Sequence, residues 1–186
     1  MIWYLLTIAL AVAADQLTKW AIVAAYPTPG DGTALLPGIL HFTHVDNTGA
    51  AFGMLKDSRW VFLVVSTVAI AAMLVYLIKW PPKHLLTGIS FALVIGGGIG
   101  NMIDRVARGY VIDFIDFCAF PKIWKYIFNV ADVCVCVGCA GLVICLLFLE
   151  AKKDKPQEGA PQNETPQSDA PQNETPQNDA PREDAP

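Results

Sequence analysis

The chain has 186 residues, 54% of them hydrophobic, with a mean hydropathy of +0.42 and a formal net charge of −4. The negative charge arises in residues 151–186, where acidic residues outnumber basic ones, and no basic–aromatic patch accompanies it, so nothing in the composition points to a nucleic-acid partner. An ordinary soluble domain is excluded as well, because residues 1–150 carry several apolar runs close to the roughly 20 residues that cross about 30 Å of hydrocarbon.

The first run is Ile2–Tyr26. Ala11-Val12-Ala13 resembles a secretory cleavage site, but no Lys or Arg precedes it and the apolar stretch continues past Asp15 to Ala25, which predicts a retained helix. Asp15 and Lys19 are four residues apart, acid before base, the favourable order for an ion pair within a helix. Lys19 is expected to snorkel outward from that pair. The first loop, Pro27–Arg59, contains Gly38–Val45, where apolar and polar residues alternate; one or two short strands on the membrane surface are expected there. Asn47-Thr48-Gly49-Ala50-Ala51-Phe52-Gly53 combines an amide with small residues, and suits either an ordinary turn or a clamp on an extended peptide backbone.

The second run, Trp60–Trp80, stops at Lys79-Trp80-Pro81-Pro82-Lys83, and the third is Leu85–Ile103. Its glycines lie inside an apolar helix rather than after a strand, so Gly96 and Gly100 read as a small-residue packing face and not as a phosphate loop. Asn101, Asp104 and Arg105 fall on one helical face, where Arg105 either grips a substrate carbonyl or pairs with Asp104. The following loop, Asp104–Asn129, is mixed in character, and Pro121–Tyr126 suggests a short interfacial helix.

The fourth run, Val130–Leu149, holds Cys134, Cys136, Cys139 and Cys145. Helical spacing sets Cys134 and Cys136 about 200° apart, so they do not share a metal and serve as small apolar residues. Cys118 stands alone in a loop, and His41 and His44, three apart in a strand, are expected on opposite faces rather than as a zinc pair. No metal and no cofactor is expected. The tail repeats Ala160–Asp169 as Ala170–Asp179 and contains no large apolar group, so residues 151–186 are expected to be disordered and residues 1–150 to form the membrane-embedded domain.

Four helices place both termini on one side of the membrane. The dense Lys clusters beside helix ends (Lys79 and Lys83; Lys152, Lys153 and Lys155) assign that side to the cytoplasm. Both long loops then meet on the opposite face, together with nearly every unusual polar residue. Among these, Asp113 and Asp132 bracket the last loop. A lone Asp132 would be explained as a helix cap, but that leaves Asp113 unexplained. Two close carboxylates share one proton: one takes a proton from water while the other polarises a scissile carbonyl. A proton-conducting path is the rival reading, but it needs polar residues through the depth of the bundle rather than at one face.

Five motifs in order resemble lipoprotein signal peptidase (the signal peptidase II family): Asp15-Gln16-Leu17-Thr18-Lys19, Asn47-Thr48-Gly49-Ala50-Ala51-Phe52, Gly100-Asn101-Met102-Ile103-Asp104-Arg105, Val111-Ile112-Asp113-Phe114 and Phe128-Asn129-Val130-Ala131-Asp132. The resemblance spans residues 1–150; the tail has no counterpart. It implies an all-α membrane protein, a four-transmembrane-helix bundle with a small extracytoplasmic β-sheet. It also implies an aspartyl endopeptidase of the bacterial inner membrane. Such an enzyme removes the signal peptide of prolipoproteins before a diacylglyceryl-modified cysteine, in contact with membrane lipid, and is inhibited by globomycin. By motif, Asp113 and Asp132 would be catalytic. Asn47, Asn101, Arg105 and Asn129 would bind substrate and position the dyad, and Asp15, Lys19 and Asp104 would support the site.

Overall fold

The computed structural model describes residues 1–49, 59–119 and 126–150, all within one unit, Met1–Asp154. The expected interfacial helix at Pro121–Tyr126 lies almost wholly outside these residues, and the expected disorder of 151–186 lies entirely outside them.

Helices α1 (Ile2–Ala25), α2 (Arg59–Lys79), α3 (Leu85–Ala107) and α4 (Val130–Ile144) form the bundle, and α4 continues as a π-helical stretch, Cys145–Glu150. All four are long and apolar enough to cross a membrane. Their outward surfaces carry Trp3, Leu10, Leu17, Trp20, Val64, Val68 and Ile78, all well exposed within the protein. Such an apolar girdle is covered only by lipid. The third helix packs on each of the other three. Its small residues permit this: a Cβ on Gly96 would strike the Ala11 methyl, and one on Gly100 would sit 2.5 Å from the Asp15 carboxylate. The expected packing face is therefore present, and it is turned to α1. Tyr4, Ile70, Leu77, Ala92 and Ile95 fill the centre between α1, α2 and α3. The helix runs one turn beyond its apolar run, so Asp104 and Arg105 are helical; Gly109, at φ 88°, then turns the chain into a strand.

Strands β1 (Gly32–Leu36), β2 (Leu40–Asn47), β3 (Val111–Phe117) and β4 (Ile127–Phe128) form one antiparallel sheet in the order β1-β2-β3-β4. The first loop supplies half of it, as expected. The other half comes from the last loop, where no strand was expected: Val111–Phe117 mixes apolar and acidic residues on both faces and hides its alternation. Ile112 and Phe114 pack on Ile22 of α1, with Tyr26 and Val130 beside them, which docks the sheet on the bundle.

The β2–β3 ladder contains a bulge. Phe42 pairs with Ile115 but Val45 pairs with Asp113, so β2 advances three residues while β3 advances two. Asn47 therefore pairs with Val111 and shares a face with Asp113. The bulge also cancels the alternation expected between His41 and His44. His44 turns to the Tyr26 carbonyl, 2.7 Å from Nδ1, and to Asp46, 3.2 Å from Nε2. His41 instead faces its cross-strand partner Asp116.

Candidate active site

The polar residues of α1, α3, β2, β3 and the start of α4 converge at one end of the bundle. Lys19 is the hub. Its Nζ lies 2.9 Å from Asp15 Oδ2 and 2.8 Å from Asp104 Oδ2, and donates to Asn101 Oδ1 at 2.9 Å. Its three donor directions are thus occupied. Lys19, Asp15 and Asp104 are each 0–1% exposed. Lys19 does not snorkel as expected, because a second carboxylate on α3 draws the ammonium inward. A buried charge needs such partners, and backbone amides complete the set. The amide of Ala131 donates to Asp15 Oδ1 at 2.9 Å, and that of Ile112 donates to Asp104 Oδ2 at 3.3 Å. Gln16 Nε2 adds bonds to Asp15 Oδ2 and the Gly100 carbonyl, both at 3.1 Å. This role of Gln16 is not foreseen from the sequence; the one signal is an amide beside Asp15 in an apolar helix.

The hub orients the asparagines. Because Lys19 only donates, Asn101 must present its oxygen to it, so Asn101 Nδ2 points at Asp132 Oδ1, 2.8 Å away. Asn129 caps α4: its Oδ1 accepts from the Asp132 amide at 3.0 Å, and the Asp132 Oδ2 accepts from the Asn129 amide at 3.1 Å. This is a capping box in which the cap is Asn129, and Asp132 is the acidic residue three positions on. The same Asn129 sends Nδ2 to Asp113 Oδ1 at 2.6 Å. Asn47 completes the set, with Nδ2 2.7 Å from Asp113 Oδ2 and Oδ1 fixed by the Gly49 amide at 3.0 Å. All four carboxylate oxygens of Asp113 and Asp132 thus accept a bond, and one asparagine touches both residues.

Burial pushes the Asp113 carboxyl up most strongly and the charge of Asp132 adds to this; the bonds from Asn47 and Asn129 and the charge of Lys19 oppose it, leaving Asp113 at about 7. At neutral pH the site therefore holds a carboxyl group that carries a proton part of the time, as general acid–base work requires.

Arg105 stands apart from the hub. Asn101 and Asp104 face α1, whereas the Arg105 guanidinium stacks over Phe62 of α2 at 4.9 Å and makes a bond of 3.4 Å to the Asn101 carbonyl. Of the two alternatives for Arg105, the pair with Asp104 is not formed: Asp104 pairs instead with Lys19 and with Arg108, whose Nε is 3.8 Å from Asp104 Oδ1. Asp116 is not beside Asp113, since strand alternation turns it to the other face. Together with His41 and Cys118 it forms a group able to hold a metal, away from the carboxylate pair.

A multi-pass bundle with a carboxylate pair at one end, Asp113 buried with a raised pKa and Asp132 half-buried, fits a membrane-embedded hydrolase. Residues 7–148 match the family model for Signal peptidase (SPase) II. The chain is 43% identical over 146 residues to the lipoprotein signal peptidase of Symbiobacterium thermophilum, covering 76% of this chain and 92% of that protein. It is 37% identical over 155 residues to the lipoprotein signal peptidase of Brevibacillus brevis, covering 82% and 99%. A bacterial membrane enzyme solved by the in meso method at 2.3 Å superposes with a TM-score of 0.76 at 31% identity, covering 86% of this chain and 95% of that one. A second, solved at 1.9 Å, gives 0.71 at 32% identity, covering 80% and 94%. The chain belongs to the signal peptidase II family and is a multi-pass membrane protease.

Proposed function

We propose that this chain removes signal peptides from prolipoproteins, cutting before a diacylglyceryl-modified cysteine, with Asp113 and Asp132 as the catalytic dyad. The observation that carries the assignment is Asn129, whose amide side chain and backbone hold the two carboxylates in one frame. A water between them is the nucleophile. The ionised carboxylate takes its proton as oxygen attacks the scissile carbonyl, while the protonated partner donates to the carbonyl oxygen and the proton then passes to the leaving amine. No covalent intermediate forms on the protein. Asn47, Asn101 and Asn129 hold the dyad, and Arg105, with donors left over from its stacking on Phe62, grips the substrate backbone. Asp15, Lys19 and Asp104 keep Asn101 aimed.

In this reading the site opens toward the periplasmic face of the inner membrane, both termini are cytoplasmic, and residues 151–186 are a separable tail. The exposed apolar girdle beside the site receives the signal helix and the acyl chains. Globomycin-type inhibitors occupy the same place. Incubating the purified protein with a diacylglyceryl prolipoprotein and weighing the products tests the reading. Products cut immediately before the lipidated cysteine are expected; an uncut precursor, or an equal rate on the unlipidated one, would overturn it.

A further inference from the structure

His41, Asp116 and Cys118 come together although they lie in different loops and share no sequence motif. His41 on β2 and Asp116 on β3 are direct cross-strand partners, so their side chains leave the same face of the sheet. Cys118 follows two residues after Asp116, and its amide still bonds the Ile39 carbonyl at 2.8 Å, which continues the ladder and keeps the thiol on that face. One ligand atom from each of the three lies within 4.8 Å of the others, and all three residues are half-buried. Thr43 Oγ1 donates to Asp116 Oδ2 at 3.2 Å and orients the carboxylate from outside, the usual support for a metal-bound group.

We propose that His41, Asp116 and Cys118 bind one zinc ion that clips β2 to the end of β3. Imidazole nitrogen, carboxylate oxygen and thiolate sulfur are zinc ligands, and the sulfur disfavours magnesium and calcium. Tetrahedral zinc with ligands at about 2.0–2.3 Å needs ligand atoms roughly 3.3–3.8 Å apart, so separations up to 4.8 Å close by about 1 Å through side-chain rotation. Water or an outside ligand fills the fourth position. The ion's role in this proposal is structural, because Asp116 faces away from Asp113. Its effect is to fasten the first loop to the last, the two segments that carry Asn47 and Asp113.

Full-length protein in detergent, free of added histidine tags and stripped with a chelator, is titrated with cobalt(II) and then zinc. The expected result is one cobalt per chain with a thiolate-to-cobalt absorption band, displaced by zinc, and a higher melting temperature with zinc bound. Cys118→Ser should abolish the band. His41→Ala and Asp116→Asn should each weaken zinc binding at least about tenfold, and Thr43→Val by a similar factor through loss of outer support. Joint replacement of Cys134, Cys136, Cys139 and Cys145 by Ser should leave the band in place. Metal-free melting of each variant is compared with that of the parent, so that misfolded protein is not counted. Failure of the parent to show a thiolate band, survival of the band in Cys118→Ser, or unchanged zinc affinity in His41→Ala would each overturn the proposal.

Discussion

At the residue scale, the proposed function rests on the Asp113 carboxyl, which burial raises to about 7. Asp113→Asn and Asp132→Asn keep the shape and much of the hydrogen bonding but cannot accept a proton from water. Each should fold, should still bind globomycin, and should lose several orders of magnitude in turnover, with the double variant scarcely worse. Asp116→Asn is the control and should stay within about tenfold, roughly 1.4 kcal/mol of barrier. Turnover and inhibitor binding on the same preparations decide this. The pH dependence follows from Asp113. Its folded pKa of about 7 lies above the ordinary 3.8, so its contribution favours folding below 3.8 and is lost as pH rises toward 7. The slope is at most about 1.4 kcal/mol per pH unit. Asp113→Asn removes that term, so its melting temperature relative to the parent should be higher at pH 8 than at pH 5. Turnover of the parent should fall above about pH 7 as the shared proton leaves. Arg105→Lys should impair turnover more than a like-charge swap suggests, since Lys lacks the planar fork and stacks poorly on Phe62. Parental rates in that variant would reduce Arg105 to a generic cation.

At the element scale, the start of α4 does two things with one residue, and substitution can separate them. Asn129→Ser keeps an oxygen to cap α4 but is too short to reach Asp113; Asn129→Ala loses both functions. The Ala variant should be less stable than the Ser variant by about 1 kcal/mol, while both should lose turnover to a similar extent. Equal stability would show that the cap is idle. The elements were unequally legible in the sequence. The four helices and the Gly96–Gly100 face were plain, because apolar length and small-residue spacing are local signals. Strand β3 was not, because acidic residues on both faces break the alternation by which a strand is recognised. Motif order picked out the candidate residues that the structure brings together, but two features of their arrangement were hidden. The inward turn of Lys19 depends on Asp104, 85 positions later in the chain, and the divergence of Arg105 from Asp104 depends on where α1 and α2 pack.

At the scale of the whole molecule, residues 1–150 contain every element that builds the carboxylate site. A chain ending at Lys155 should therefore keep turnover in detergent within about tenfold of the full chain, roughly 1.4 kcal/mol of barrier. A larger loss in a folded truncate would give the repeat tail a part in cleavage. Both loops that bear site residues meet in one sheet, and that sheet rests on α1 and α4 through Ile22 and Val130. The loops and the bundle thus hold each other in register.

The bulge between Phe42 and Val45 makes the length of that strand as informative as its composition. A strand has a reading frame of two, and the extra residue shifts everything after it by half a period. Deleting either Thr43 or His44 would leave every motif residue in the chain and restore a regular ladder. Val45, Asp46 and Asn47 would still stand opposite Asp113, Ile112 and Val111, so Asn47 would keep its place 2.7 Å from Asp113. Such a deletion should therefore leave turnover well above that of Asn47→Ala, whereas removing both Thr43 and His44 would set Asn47 opposite Ile112, on the other face, and should depress turnover at least as far as Asn47→Ala does. Turnover across the three variants, each checked for folding, measures whether the enzyme depends on the phase of this strand as well as on its side chains.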